Sequence, residues 1–227
     1  MNFKNALLAG VLATATTTAS AGVIDFVSVI EDPATGLGES AWNSLSLTDA
    51  SSGVGITLNA GYLDANGDEQ DAYVYLDWGN AGVGVCRELG GSKSVDTAYT
   101  GNGGNLCDPG SDDNVTGGSD WAEFLDITFD AAAEISFTLN NNHDGGFDAG
   151  VDYALFDGSN VLAANGFYIN NTMMVSAGQT VRVMFGNEEF YLDTIALDTI
   201  AVPEPAMFSL LGLGLLGFGF ARRARKA

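Results

Sequence analysis

The sequence predicts an all-β fold, an antiparallel β-sandwich or jelly roll, and three observations carry that expectation. Thirty glycines and thirteen phenylalanines stand in a chain of 227 residues of which only 16% are charged. That leaves few of the long charged side chains that clothe the solvent face of helices. Apolar residues recur at every second position in several stretches, as half-buried strands require. Most of these stretches end in clusters of Gly, Asn and Asp, the residues that turns favour. No repeat of fixed period appears, which argues against solenoids and propellers.

The elements follow in order. Residues 1–21 read as an export signal: Lys4 supplies a positive start, residues 6–13 are apolar, and Ala19-Ser20-Ala21 has the small-x-small pattern of signal-peptidase cleavage, placing the cut after Ala21. Strands are then expected over 23–30, 54–63 and 72–78. In "WAEFLDITFD" (121–130), Leu125, Ile127 and Phe129 alternate with Asp126, Thr128 and Asp130. In "EISFTLN" (134–140), Ile135, Phe137 and Leu139 do the same. The short link through Ala131 and Ala133 suggests that these two strands form an antiparallel pair. Further strands are expected over 151–158, 179–186 and 190–202. No run of ten residues in this span shows a helical stripe.

Residues 79–119 differ, being rich in Gly, Ser, Asn and Asp with little to bury. They read as a long surface excursion, and they hold both cysteines. An even cysteine count in an exported chain favours a Cys86–Cys107 disulfide, which closes a loop of about 20 residues and contributes roughly 3 kcal/mol on the chain-entropy model. Two thiols with no neighbouring His make a poor zinc site, and the spacing excludes a C-x-x-C redox motif.

Charge narrows the partners. The whole chain carries −21, but of 29 acidic residues only Glu204 lies outside residues 22–201, a span whose cations are Arg87, Lys93 and Arg182. The body is therefore near −25. Such a surface repels phosphate backbones, so nucleic acid is excluded as a partner, whereas divalent cations and cationic polymers fit. It also keeps an exported protein dispersed.

Enzyme motifs are missing, and no catalytic residue is expected. The one histidine, His143 in "NNNHDGG", has no G-x-S-x-G beside it and reads as a turn residue. Paired carboxylates for glycoside hydrolysis carry no weight among so many acids. Calcium is the stronger chemical candidate. "DANGDEQD" (64–71) sets Asp64, Asn66 and Asp68 at alternate positions around Gly67, like the first half of an EF-hand loop. The twelfth position is Tyr75 in place of a bidentate Glu, and an Asn/Gly/Asp hairpin turn explains the same residues. Residues 108–114 and 142–152 are further oxygen-rich clusters. Trp42, Trp78 and Trp121 are either core or a sugar-stacking platform.

The chain ends in "VPEPAMFSLLGLGLLGFGFARRARKA" (202–227). A Pro-Glu-Pro break at Pro203, Glu204 and Pro205 precedes an apolar run, 206–221, about 24 Å long as a helix, and Arg222, Arg223, Arg225 and Lys226 close it. The basic end places the C-terminus in the cytoplasm and the body outside. This three-part order resembles the PEP-CTERM sorting signal of Gram-negative bacteria. The resemblance implies processing by an exosortase, a membrane cysteine protease acting near Pro-Glu-Pro, and passage from a transient inner-membrane anchor to the cell surface or extracellular matrix. Ala206 stands where Ser or Thr is frequent in that signal. The body, through "GVGVCRE", "CDPGSDDN", "FLDITFD" and "FYLDTIALD", is similar to one all-β group of exosortase-dependent surface proteins, which implies no enzymatic activity. The expected organisation is a signal peptide at 1–21, a β-sandwich at 22–201 and a sorting signal at 202–227. The expected role is that of a non-catalytic, biofilm-matrix or surface component. A calcium-assisted carbohydrate-binding module for exopolysaccharide and a secreted hydrolase are the rivals.

Overall fold

Period-2 alternation becomes pleat in the computed structural model, which describes residues 20–32, 34, 37–90, 94–98, 106–110, 113–140, 154–157, 162–163 and 172–199. In chain order these form β1 (Ala21–Asp25), α1 (Phe26–Glu31), β2 (Ser40–Trp42), β3 (Leu45–Thr48), β4 (Gly55–Leu63), β5 (Glu69–Asp77), β6 (Gly82–Cys86), β7 (Ala122–Phe129), β8 (Ala133–Asn140), β9 (Ala154–Asp157), β10 (Leu162–Ala163), β11 (Met173–Val175), β12 (Thr180–Phe185) and β13 (Tyr191–Thr199). Every strand pair among them is antiparallel. The strand order is β10-β9-β12-β7-β4-β5-β6-β13-β8-β11, with β1 on β13, β2 on β5 and β3 on β4. Ser20–Ile200 make one compact unit.

The sheet curls, and β5 is its corner. Residues 69–72 pair with β4, and residues 73–77 pair with β6, so one strand serves both halves. Side chains of the two halves meet in one buried core: Leu58, Ile127 and Val181 from one, Val85, Ile135 and Ile195 from the other. Register explains the sorting of side chains. Leu58 lies opposite Ile127 and Ile56 opposite Phe129 on the buried face, while Asn59 opposite Asp126 and Thr57 opposite Thr128 fall on the other. Burying each such Leu, Ile or Phe stabilises the fold by about 1.5–3 kcal/mol.

Three expectations are corrected. Residues 23–30 are a strand only as far as Asp25. There the Asp25 carboxylate accepts the Ser28 N–H at 2.9 Å and caps a one-and-a-half-turn helix. Phe26 and Ile30, four apart, are then both buried, which is helical and not alternating geometry. Second, β7 and β8 do not pair with each other. β7 lies between β4 and β12, and β8 between β13 and β11. Asp130 is held to β4 through its N–H to Gly55 O (3.0 Å) and its Oδ1 from Gly55 N–H (2.7 Å). The link at Ala131 then packs on the core and carries the chain to the other half. Third, residues 79–119 bury more than a surface loop would. β6 sits between β5 and β13 with all five residues buried. Gly84 is pressed against the backbone of Asp113 and Asn114, and Val85 N–H bonds Asn114 O at 3.1 Å. A strand covered on both faces has no polar side to alternate with.

β4, β12 and β13 fall inside the expected 54–63, 179–186 and 190–202, and β9 inside 151–158, whereas β5 starts at Glu69, three residues before the expected 72–78. The short strands β2, β3, β10 and β11 were not anticipated. Among the described residues no helix is long and apolar enough to cross a membrane. The expected signal segment before Ser20 and the expected helix at 206–221 lie outside the described residues.

Candidate functional site

The calcium candidates come together in the turn of the β4–β5 hairpin. Asp64 N–H bonds Asp68 O (3.0 Å), Gly67 N–H bonds Asp64 O (2.8 Å), and Gly67 takes φ +80°, which a glycine adopts without strain. The Asp64 side chain serves the turn itself. Its Oδ1 accepts the N–H groups of Asn66 (2.8 Å) and Asp68 (3.0 Å), and its Oδ2 faces Gln70 Nε2 at 3.4 Å. Those backbone donors, Asn66 first, hold the Asp64 carboxyl below the usual carboxylate range. Asp68 and Asn66 are exposed beside it. Among the described residues no three His, Cys, Asp or Glu side chains form a group able to hold a metal ion. His143 and residues 142–152 lie outside the described residues, as do 111 and 112 of the cluster at 108–114.

The disulfide joins Cys86 at the end of β6 to Cys107, with Cα atoms 5.6 Å apart. It fastens a narrow return: Gly90 N–H bonds Leu106 O (2.7 Å), and Asp108 N–H bonds Glu88 O (2.9 Å). Under it lies a second small core of Ala41, Tyr75, Leu106 and the two cysteines. The Tyr75 hydroxyl donates to Glu39 Oε1 at 2.7 Å and accepts the Leu106 N–H at 3.1 Å, tying strand, loop and disulfide together. Burial, with Glu39 beside it, pushes the Tyr75 phenol well above its ordinary value, so it remains a donor.

Two cations of the body stand in sites that sequence reading missed. Arg87 follows β6 and reaches the other half of the sheet. Its Nε is 3.1 Å from Glu123 Oε1, and its guanidinium lies 3.7 Å over the Trp121 ring and 5.9 Å from that of Tyr62. The Glu123 side chain is 0% exposed, and its Oε2 accepts the Thr116 N–H at 2.9 Å. Arg182 on β12 grips its cross-strand partner Asp126 with both Nε and Nη2 at 2.7 Å, while Nη1 reaches Glu69 Oε1 at 2.6 Å. The same guanidinium covers the Phe124 ring at 3.6 Å, and Gly61 opposite that ring has no room for a Cβ. The signal for both sites was scarcity: in a body this acidic, each arginine has many carboxylates to choose from.

The tryptophans do not share one platform. Trp42 and Trp78 pack on the main core, Trp42 Nε1 donating to Ser40 Oγ at 2.8 Å, and the Trp121 ring is covered by Arg87.

The sorting residues Pro203, Glu204 and Pro205 and the cluster Arg222, Arg223, Arg225 and Lys226 lie outside the described residues. Comparison with known families bears on them directly: residues 201–226 match the family described as the PEP-CTERM protein-sorting motif. No curated protein and no solved structure matches the chain. The segment begins two residues after Thr199, where β13 ends.

Proposed function

From a chain that carries a PEP-CTERM sorting motif at its C-terminus, consistent with export and exosortase processing in a Gram-negative bacterium, we propose a surface or extracellular-matrix protein. Its acidic body has a structural or adhesive, non-catalytic role in a biofilm or exopolysaccharide matrix. The single observation that carries this reading is the motif, placed after a β-rich body held by a disulfide. We read the curled sheet, with one core between its halves, as a β-sandwich. A leader within residues 1–21 starts export, and the helix at 206–221 with its basic end halts it with the C-terminus in the cytoplasm. Exosortase then cuts near Pro203–Pro205 and frees the body. Both described arginines of that body are engaged by carboxylates and rings, so its outward field is that of the remaining acids, which suits dispersal and cationic or divalent partners.

Intact mass of the mature protein, taken with its cell fraction, tests the reading. A surface or medium product ending near Pro203–Pro205 is expected, and a chain that keeps Lys226 in the inner membrane overturns the release step. A second reading, a calcium-assisted glycan-binding module, rests on the carboxylates of half-buried Asp64 and exposed Asp68 at the hairpin tip. It requires glycan-array signals that depend on calcium and a melting temperature that falls in chelator. Absence of both effects removes it.

A further inference from the structure

The small-residue stretch before β1 offers two bonds to signal peptidase. Ala19-Ser20-Ala21 places small residues at −3 and −1 for a cut after Ala21, and Thr17-Thr18-Ala19 does the same for a cut after Ala19. The ladder between β1 and β13 separates them. Ala21 is the first paired residue, opposite Asp198. One step further out, Thr199 N–H bonds Ser20 O at 3.0 Å, so Ser20 continues the same ladder. There the ladder is closed by side chains. The Thr199 hydroxyl accepts the Ser20 N–H at 2.7 Å and faces Ser20 O at 3.1 Å, while Ser20 Oγ donates to Ser51 O at 2.7 Å. Ser20 thus ties β13 and the β3–β4 turn to the first strand. Further along β1, Gly22 lies under the Asp49 carboxylate, which also accepts the Val23 N–H, and either cut leaves that contact in place. The two products differ in the pair Ala21–Asp198 and in the Ser20 clasp.

We propose that the mature chain begins at Ser20, by hydrolysis of the Ala19–Ser20 bond two residues upstream of the bond that sequence alone favours. Water adds across the amide: Ala19 leaves with the new carboxylate and Ser20 keeps the nitrogen as an α-ammonium. An ammonium at that position still donates to Thr199 Oγ1, and it needs no partner that the clasp lacks. A cut after Ala21 instead removes one ladder pair and every hydrogen bond of the clasp, leaving Thr199 N–H and Ser51 O without these partners. The inference rests on the export reading above.

N-terminal sequencing of the protein exported from its full-length gene in a Gram-negative host tests it. The sequence Ser-Ala-Gly-Val supports the proposal. Gly-Val-Ile-Asp overturns it while leaving export intact, and a chain that retains Met1 overturns both. The variant Ala21→Phe sharpens the result, because Ala21 is exposed in the folded body and the large ring is tolerated there. With the cut after Ala19 it occupies the +2 position, and processing proceeds at the wild-type rate. With the cut after Ala21 it occupies −1, and unprocessed precursor accumulates at least tenfold.

Discussion

Arg87 and Arg182 use the same chemistry at different depths. Each guanidinium lies within 3.7 Å of an aromatic ring and binds a carboxylate. Arg182 works within one half of the sheet, across β12, β7 and the start of β5, and its partner Glu69 is 60% exposed. Arg87 spans the two halves, from β6 to the ends of β4 and β7, and its partner Glu123 is fully buried. The contrast shows that an ion pair is a fastening only where water cannot replace it. On the outward face it mainly shields Phe124, which is 4% exposed although register points it outward.

The largest expected effect is at Arg87. Arg87→Ala leaves Glu123 buried beside the core and lowers unfolding free energy in urea by about 3–5 kcal/mol. The double variant Arg87→Met with Glu123→Gln recovers more than half of that loss, because the stranded charge is gone. Arg182→Ala is milder, about 1 kcal/mol, since its carboxylates are reached by solvent. Raising the salt to 1 M separates the pair further: the Arg182→Ala deficit shrinks while the Arg87→Ala deficit persists, because screening acts on exposed charges.

Acid gives the smallest and most specific test. Arg182 holds the Glu69 carboxyl below its ordinary value of 4.5. A lowered folded pKa contributes stability that is present above 4.5 and disappears as pH falls through the folded value. The wild type and Arg182→Ala therefore converge below that point. Asp193 runs the other way, because burial, with Asp25 nearby, raises its carboxyl above 3.8. Its ionisation opposes folding at neutral pH, and that penalty is absent once pH drops below 3.8. Asp193→Asn should accordingly raise the melting temperature at pH 7, and the gain should vanish in acid. A neutral-pH loss would show that the Asp193 charge has a partner worth more than its burial.

How much was legible follows from how local each feature is. The β7 pattern of Leu125, Ile127 and Phe129 was readable because one face of the strand is wet. The Gly-Val-Gly-Val of β6 was not, because neighbours cover both of its faces. The β4–β5 turn could be read from Asp64 to Gly67, where each contact spans a few residues. The Cys86–Cys107 bond followed from there being only two cysteines. Pairing was beyond reach: nothing between Phe129 and Ala133 says that the chain changes halves, and Arg87 meets a glutamate 36 positions away. Residues 26–31 misled because Phe26, Val27, Val29 and Ile30 suit either period, and the Asp25 cap decided the matter. The sorting motif was fully legible, since a Pro-Glu-Pro break, an apolar run and a basic end are read in a line.

The place of β13 has a kinetic consequence. This last strand of the body pairs with β8, β6 and β1, so the first strand to leave the ribosome waits for the last, over 170 positions later. Contacts of such separation are slow to form, because the loop must be closed before they reward it. Pro203 lies four positions beyond Thr199, a span of at most about 14 Å. On the proposed export route, the body would therefore complete its fold only when nearly all of it has crossed, close to the moment at which the sorting motif arrives. On the proposed route, folding would then precede the cut near Pro203–Pro205, and the exosortase would meet a finished domain.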